Sequence, residues 1–116
     1  MAWYKTALKE LSQNKEIALI NRGGSMRGVI EDGQIVILGP VAEQDLRVGD
    51  AVMVRIRKER FIVHMIQDIA DHHYLIGNNI GGTDGWVTSD AIYAKMIRVV
   101  NELPEGNDME LVDEKD

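Results

Sequence analysis

Short runs of β-branched and aliphatic residues, each closed by residues that favour turns, dominate this chain. Six such runs follow the first fifteen residues: 17–20, 34–38, 51–56, 61–66, 74–76 and 92–100. Between them stand pairs such as Asp32-Gly33, Gly39-Pro40 and Gly49-Asp50, which favour tight reversals of the chain. Six short strands separated by turn residues predict a mainly β fold, a compact antiparallel coiled sheet of barrel-like form.

The two ends of the chain depart from this strand pattern. Apolar residues at positions 3, 4, 7, 8 and 11 have helical spacing, and Asn14 is a plausible stop, so we expect a short N-terminal helix within residues 1–14. After Asn101 the composition becomes acidic and loses its periodicity. We therefore predict a single domain over residues 1–100 and a flexible acidic tail over residues 101–116.

The charge of the chain limits the partners it can have. Its 116 residues suit one domain, and 45% hydrophobic with 28% charged residues is an ordinary globular composition. The formal net charge of −6 argues against a nucleic-acid surface, which needs clustered Lys and Arg. The one basic cluster, residues 55–60, lies between two apolar runs, and we predict that it forms the tip of a hairpin.

The chain contains no cysteine, which excludes disulfides, thiolate metal sites and a cysteine nucleophile. It has no signal-peptide pattern and no apolar run of spanning length, so we expect a cytoplasmic protein with no membrane anchor. The adjacent His72 and His73 point in different directions in an extended chain and are not expected to form a metal site. No cofactor is expected.

Ser25 stands in a glycine-rich segment between two predicted strands. Gly23 and Gly24 precede it and Gly28 follows it. Glycines let the backbone bend tightly and let another chain approach closely. A serine at such a bend can present its hydroxyl beside free N–H groups, as a nucleophile with an oxyanion hole requires. Taken alone, however, this segment favours a turn serine that bonds its own backbone.

His64 lies inside the most apolar of the predicted strands. Alternation along residues 61–66 puts it on the same face as Ile62 and Ile66, where it is expected to be partly buried. Taken alone, it is typical of a hydrogen-bonded core histidine. An imidazole can also act as a general base at neutral pH without a special environment, whereas a lysine must first lose its proton through burial.

Five short segments follow one another along residues 20–100. They are Ser25-Met26 with Ile30, Asp32-Gly33 with Ile35-Val36, Val48-Gly49-Asp50 with Val52 and Val54, Ile62-Val63-His64 with Ile66, and Leu75-Ile76-Gly77-Asn78-Asn79. In this order and with this spacing, the chain resembles the signal peptidase I superfamily, which also contains the self-cleaving SOS and phage repressors. Each segment alone is common, but the ordered series is much more specific.

This resemblance implies a serine peptidase that acts on a protein or peptide substrate. Ser25 occupies the position of the nucleophile, and His64 that of the general base. The base is lysine in bacterial signal peptidases and repressors and histidine in the endoplasmic-reticulum and archaeal type, so the chain is similar to the serine–histidine branch. Asp84 looks like the aspartate that supports the site in that branch, and it is equally compatible with a plain turn aspartate.

The substrate is expected to lie as an added strand beside residues 17–21, close to Ser25. On this interpretation Gly23, Gly24 and Met26 stand on the substrate and oxyanion side, and Gly23 and Gly24 leave room for the approaching chain.

Three positions depart from the family pattern. Gly28 stands where a proline is usual, Gly23 where a polar residue often helps to hold the oxyanion, and Asn78 where the usual Gly-Asp pair has its aspartate. These departures keep open a second interpretation, a peptide-binding or regulatory module that has the fold without turnover. A self-processing protein ranks third, because the chain has no Ala-Gly pair of the kind that repressors cut.

Overall fold

The computed structural model of the protein describes residues 2–58, 60–103 and 105–115. Within these residues one α-helix precedes eight β-strands, all in a single sheet. The elements are α1 (Trp3–Ser12), β1 (Ile17–Ile20), β2 (Ile35–Gly39), β3 (Ala51–Ile56), β4 (Arg60–Ala70), β5 (His73–Gly77), β6 (Thr83–Thr88), β7 (Ile92–Val100) and β8 (Glu110–Asp113). The mainly β fold with a short N-terminal helix is confirmed.

The order of strands across the sheet is β6-β5-β4-β3-β7-β2-β1-β8. The paired strands are antiparallel except β1 and β8, which run parallel. The hairpin predicted around the basic cluster is confirmed, since β3 pairs with β4 from Ala51↔Met65 to Ile56↔Arg60. Glu59, a member of the basic cluster in the sequence, lies outside the described residues.

The sheet buries apolar side chains on both of its faces. Alternate residues of β3 show this directly: Met53 packs in a cluster with Ala7 and Leu11 of α1, whereas Val52 and Val54 belong to a second cluster on the other face. Alternation in β4 follows the sequence prediction, because Val63 joins the first cluster and its neighbours Ile62 and Ile66 join the second. His64 therefore lies on the face of the second cluster.

The sequence analysis did not predict two of the strands. No strand was predicted around Asp84, but Thr83–Thr88 forms β6 and pairs with β5 through contacts such as Leu75↔Trp86. The acidic tail was expected to be flexible, but Glu110–Asp113 forms β8. Val112, only 6% exposed, packs in the first cluster while the main chain pairs with β1, so this part of the tail has regular structure.

No helix in the described part of the chain is long and apolar enough to cross a bilayer; α1 has 10 residues.

Candidate active site

Ser25 lies in a helix-like turn a few residues after β1. The Arg27 N–H donates a hydrogen bond to the Gly24 carbonyl (3.1 Å), and the Ile30 N–H donates to the Met26 carbonyl (2.8 Å). Met26 is fully buried and packs in the first core cluster, while its neighbour Ser25 stays half-buried. Burial of the methionine thus holds the turn against the sheet and leaves the serine within reach of the surface.

Backbone N–H groups around Ser25 differ in how they are used. The Gly23 N–H donates to Asp32 Oδ1 (2.8 Å), so this group is engaged within the protein. Among the described residues, no hydrogen bond is donated by the N–H groups of Gly24, Ser25 or Met26. Of the glycines expected on the oxyanion side, Gly24 therefore has a free donor and Gly23 does not.

Asn79 joins the Ser25 turn to the end of β5. Its main-chain N–H donates to the Ser25 carbonyl (2.8 Å), and its side-chain Nδ2 donates to the Arg27 carbonyl (2.8 Å). β5 ends at Gly77, which is the register partner of Met65, the residue after His64. Asn79 therefore connects the turn that carries Ser25 to the strands that carry His64.

A hydrogen bond joins His64 of β4 to Asp84 of β6. His64 Nδ1 and Asp84 Oδ2 are 2.6 Å apart, and the two side chains are only 11% and 21% exposed. An ionised carboxylate can only accept, so Nδ1 is the donor in this contact, and in the neutral imidazole Nε2 is then an acceptor. Since Asp84 lies in strand β6, the simpler interpretation of it as a turn aspartate is wrong.

Gln67 is a positioning residue that the sequence analysis missed. It lies where the pairing of β4 with β5 shifts register, between Ile66 and Asp68. Its Nε2 donates to the Gly82 carbonyl (2.9 Å), and its Oε1 accepts from the Thr83 hydroxyl (2.9 Å). These two bonds hold the start of β6, immediately before Asp84. A polar residue in the middle of an apolar strand was the signal that could have identified it.

Ser25 and His64 are not hydrogen-bonded to each other in the part of the chain that the structure describes. Nor does His64 Nε2 have a hydrogen-bond partner among those residues. The structure thus joins the predicted base to Asp84 and ties the predicted nucleophile to Asn79. A serine–base hydrogen bond is often long in a peptidase without substrate and tightens when the substrate binds.

Gly28, the departure from the usual proline, has a backbone that a proline cannot adopt. Its φ is +98°, and its N–H donates to Glu31 Oε2 (2.7 Å). Proline is restricted to φ near −65° and has no N–H. A Cβ at this position would lie 2.9 Å from Asn79 Nδ2. Both the positive φ and the close approach of Asn79 therefore require a glycine at position 28.

We expect Gly28→Ala to lower the free energy of unfolding by about 1–2 kcal/mol, because an L-residue is strained at this φ. Gly28→Pro should cost more, since it also removes the donor to Glu31. Urea unfolding measures both. Gly24→Ala is the control, because its Cβ would meet no atom within 4 Å and its φ is not positive. Equal midpoints for Gly28→Ala and Gly24→Ala would contradict this account of the turn.

The remaining histidines lie at the β4–β5 turn, where His72 is in the turn and His73 begins β5. His72 Nδ1 is 3.1 Å from Glu43 Oε2, and His73 Nδ1 is 2.8 Å from the Asp71 carbonyl. Within the described ranges, no group of three or more His, Asp or Glu side chains is arranged to hold a metal ion.

Comparison with known families gives one match. The model of the Peptidase S24-like family matches residues 2–97, which include Ser25, His64 and Asp84. The curated proteins and the solved structures give no significant match. Because the family model covers most of the chain, the protein belongs to the Peptidase S24-like family. The match ends within β7, so β8 lies beyond it.

Proposed function

We propose that this Peptidase S24-like protein is a serine endopeptidase of the serine–histidine type. Ser25 is the nucleophile, His64 its general base, and Asp84 the residue that orients the base. The observation that carries the proposal is the 2.6 Å contact between His64 Nδ1 and Asp84 Oδ2. A carboxylate on one ring nitrogen presents the other nitrogen, unprotonated, for the serine proton.

In this mechanism, peptide binding brings the Ser25 hydroxyl to His64 Nε2. Nε2 takes the hydroxyl proton as Ser25 Oγ attacks the peptide carbonyl carbon, and the carbonyl electron pair moves onto its oxygen. The N–H groups of Gly24, Ser25 and Met26 are the donors for that oxyanion. The imidazolium then protonates the leaving amine, and water hydrolyses the acyl-serine with His64 again as base.

The substrate in this proposal is an extended peptide that pairs with β1. Main-chain hydrogen bonds to a strand edge accept many sequences, and side-chain pockets supply the selectivity. β1 ends at Ile20, five residues before Ser25, so a peptide along this edge leads directly to the nucleophile.

Covalent capture tests the proposal without knowledge of the natural substrate. A fluorophosphonate reagent is incubated with the protein, and the labelled residue is located by peptide mass spectrometry. We expect the phosphonyl group on Ser25 and none on Ser12 or Ser89, because only Ser25 has both free N–H donors beside it and a candidate base. Labelling that persists in a His64→Ala variant at the full rate, or that falls on another serine, would contradict the proposed dyad.

A second candidate function is a peptide-binding module without turnover. The absence of a Ser25–His64 hydrogen bond among the described residues favours it, since the dyad is not assembled before a ligand binds. On this alternative, Ser25 takes no label, and Ser25→Ala leaves the affinity for peptides nearly unchanged.

A further inference from the structure

The outer edge of β1 is already occupied by a segment of the chain itself. β8 pairs with β1 in parallel register, from Ile17↔Glu110 to Ile20↔Asp113. This is the edge beside residues 17–21 on which a substrate strand is expected. Because the two strands are parallel, β8 also runs towards the turn that carries Ser25.

Arg22, between β1 and Ser25, holds the end of β8. Its guanidinium makes a two-bond contact with Asp113, with Nε to Oδ1 at 3.0 Å and Nη2 to Oδ2 at 2.7 Å. The hydrogen bond from Arg22 and one from the Lys115 N–H lower the pKa of Asp113 to about 2. The carboxylate is therefore ionised at neutral pH, and the contact is a charge-assisted one.

After Asp113 the main chain stops following β1. The Lys115 N–H bonds back to Asp113 Oδ1 (3.0 Å), which turns the chain. At this point the Arg22 N–H, where a continuing strand would pair, donates instead to the Glu114 carboxylate at Oε2 (2.9 Å). A side chain thus replaces the peptide group that an extended substrate would present next to the site.

Glu114 also lies close enough to His64 to interact with its charge. Burial raises the pKa of Glu114, while the bond from the Arg22 N–H and the charge of His64 act in the opposite direction. The half-buried carboxylate therefore bonds the Arg22 N–H at the end of the strand edge and interacts electrostatically with the candidate base.

We propose that residues 110–115 are a built-in occupant of the peptide-binding edge, which an incoming peptide must displace. The inference rests on the proposed function of the same site and adds its regulation. It also specifies the ligand: an extended peptide parallel to β1, with an apolar side chain at the position of Val112, which packs into the core, and acidic groups that face Arg22.

The anchoring of this segment is weak enough for exchange. β8 has four residues, Leu111 is 48% exposed, and the Arg22 and Asp113 side chains are 37% and 24% exposed. Partly exposed ion pairs and short edge strands contribute little stability. The segment also lies outside residues 2–97, which the family model matches, so it is not part of the matched family domain.

The test compares the full chain with an Asp113→Asn/Glu114→Gln double variant, both in a Ser25→Ala background so that no peptide is cut. The probe is a fluorescent synthetic peptide of residues 107–115 with the natural sequence, added in trans. Because the variant's own segment has lost its charge-assisted contacts, we expect the probe to bind it about tenfold more tightly than the parent. Amide hydrogens of residues 17–22 should also exchange faster in the variant.

The matched control is Glu105→Gln/Asp108→Asn, which makes the same charge change in exposed residues before β8. It should bind the probe as the parent does. Should the double variant lose its fold, Glu114→Gln alone retains the Arg22–Asp113 contact and is expected to show the same direction of change. Equal probe affinity and unchanged exchange in a folded variant would overturn the inference.

Cleavage is measured separately, with Ser25 restored. Faster cleavage in the double variant supports both the inference and the proposed function. Tighter probe binding without any cleavage supports the inference and contradicts the peptidase proposal. The inference is therefore tested by probe binding, and the peptidase proposal by cleavage.

Discussion

Ser25→Ala is expected to lower kcat/KM for peptide cleavage by roughly 10⁴- to 10⁶-fold, because the variant lacks the oxygen that forms the acyl-enzyme. The N–H groups of the turn remain, so a residual rate above that of water is expected from oxyanion binding alone. The measurement is the rate of cleavage of a peptide library, read by mass spectrometry, followed by kinetics on the best substrate.

Ser12→Ala is the control for this change. Ser12 ends α1, and its hydroxyl bonds the Lys9 carbonyl at the surface, away from the site. It should cleave at the parent rate. A Ser25→Ala protein that is folded by circular dichroism and still cleaves within tenfold of the parent would remove Ser25 from the mechanism.

The second large effect is expected for Asp84→Asn, with a loss of roughly 10³–10⁴ in kcat and little change in KM. An amide in this place can donate to His64 Nδ1, which favours the tautomer with the proton on Nε2. In that tautomer His64 cannot accept the serine proton. KM should stay unchanged because Asp84 contacts the base and not the substrate. A fall in kcat without a change in KM therefore identifies a positioning role.

Asp68→Asn is the matched control, because Asp68 is exposed on the same strand as His64, and among the described residues its side chain bonds only the neighbouring Ile69 N–H. It should leave both constants unchanged. A His64→Ala/Asp84→Asn double variant should be no slower than His64→Ala, since residues that act as a unit are not additive. Additive losses would mean that Asp84 acts elsewhere.

Local patterns predicted most of the fold. The alternation in β4 assigned Ile62 and Ile66 to one face, and the structure has them together in the second core cluster. The pattern did not predict β6, because glycines lie on both sides of Thr83 and Asp84. Pairing with β5 keeps this stretch extended, and such pairing depends on a partner strand that local sequence does not reveal.

The candidate catalytic residues were identified from the order of several segments and not from local patterns. Ser25 and His64 were each ordinary in isolation, and only their order among five segments made them a pair. Asn79 belonged to one of those segments, but its contacts with the Ser25 and Arg27 carbonyls were not predictable from it. Gln67 lies immediately after the predicted run 61–66 and belongs to none of the five segments.

By itself, the sequence determined the strand runs, the N-terminal helix and the choice of histidine at position 64. These depend on periodicity and residue type, which act over a few neighbouring positions. Only the tertiary structure decided that Asp84 meets His64, 20 positions away, and that Glu114 reaches Arg22, 92 positions away. Such contacts follow from strand register, which is set when distant strands pair and bury their side chains together.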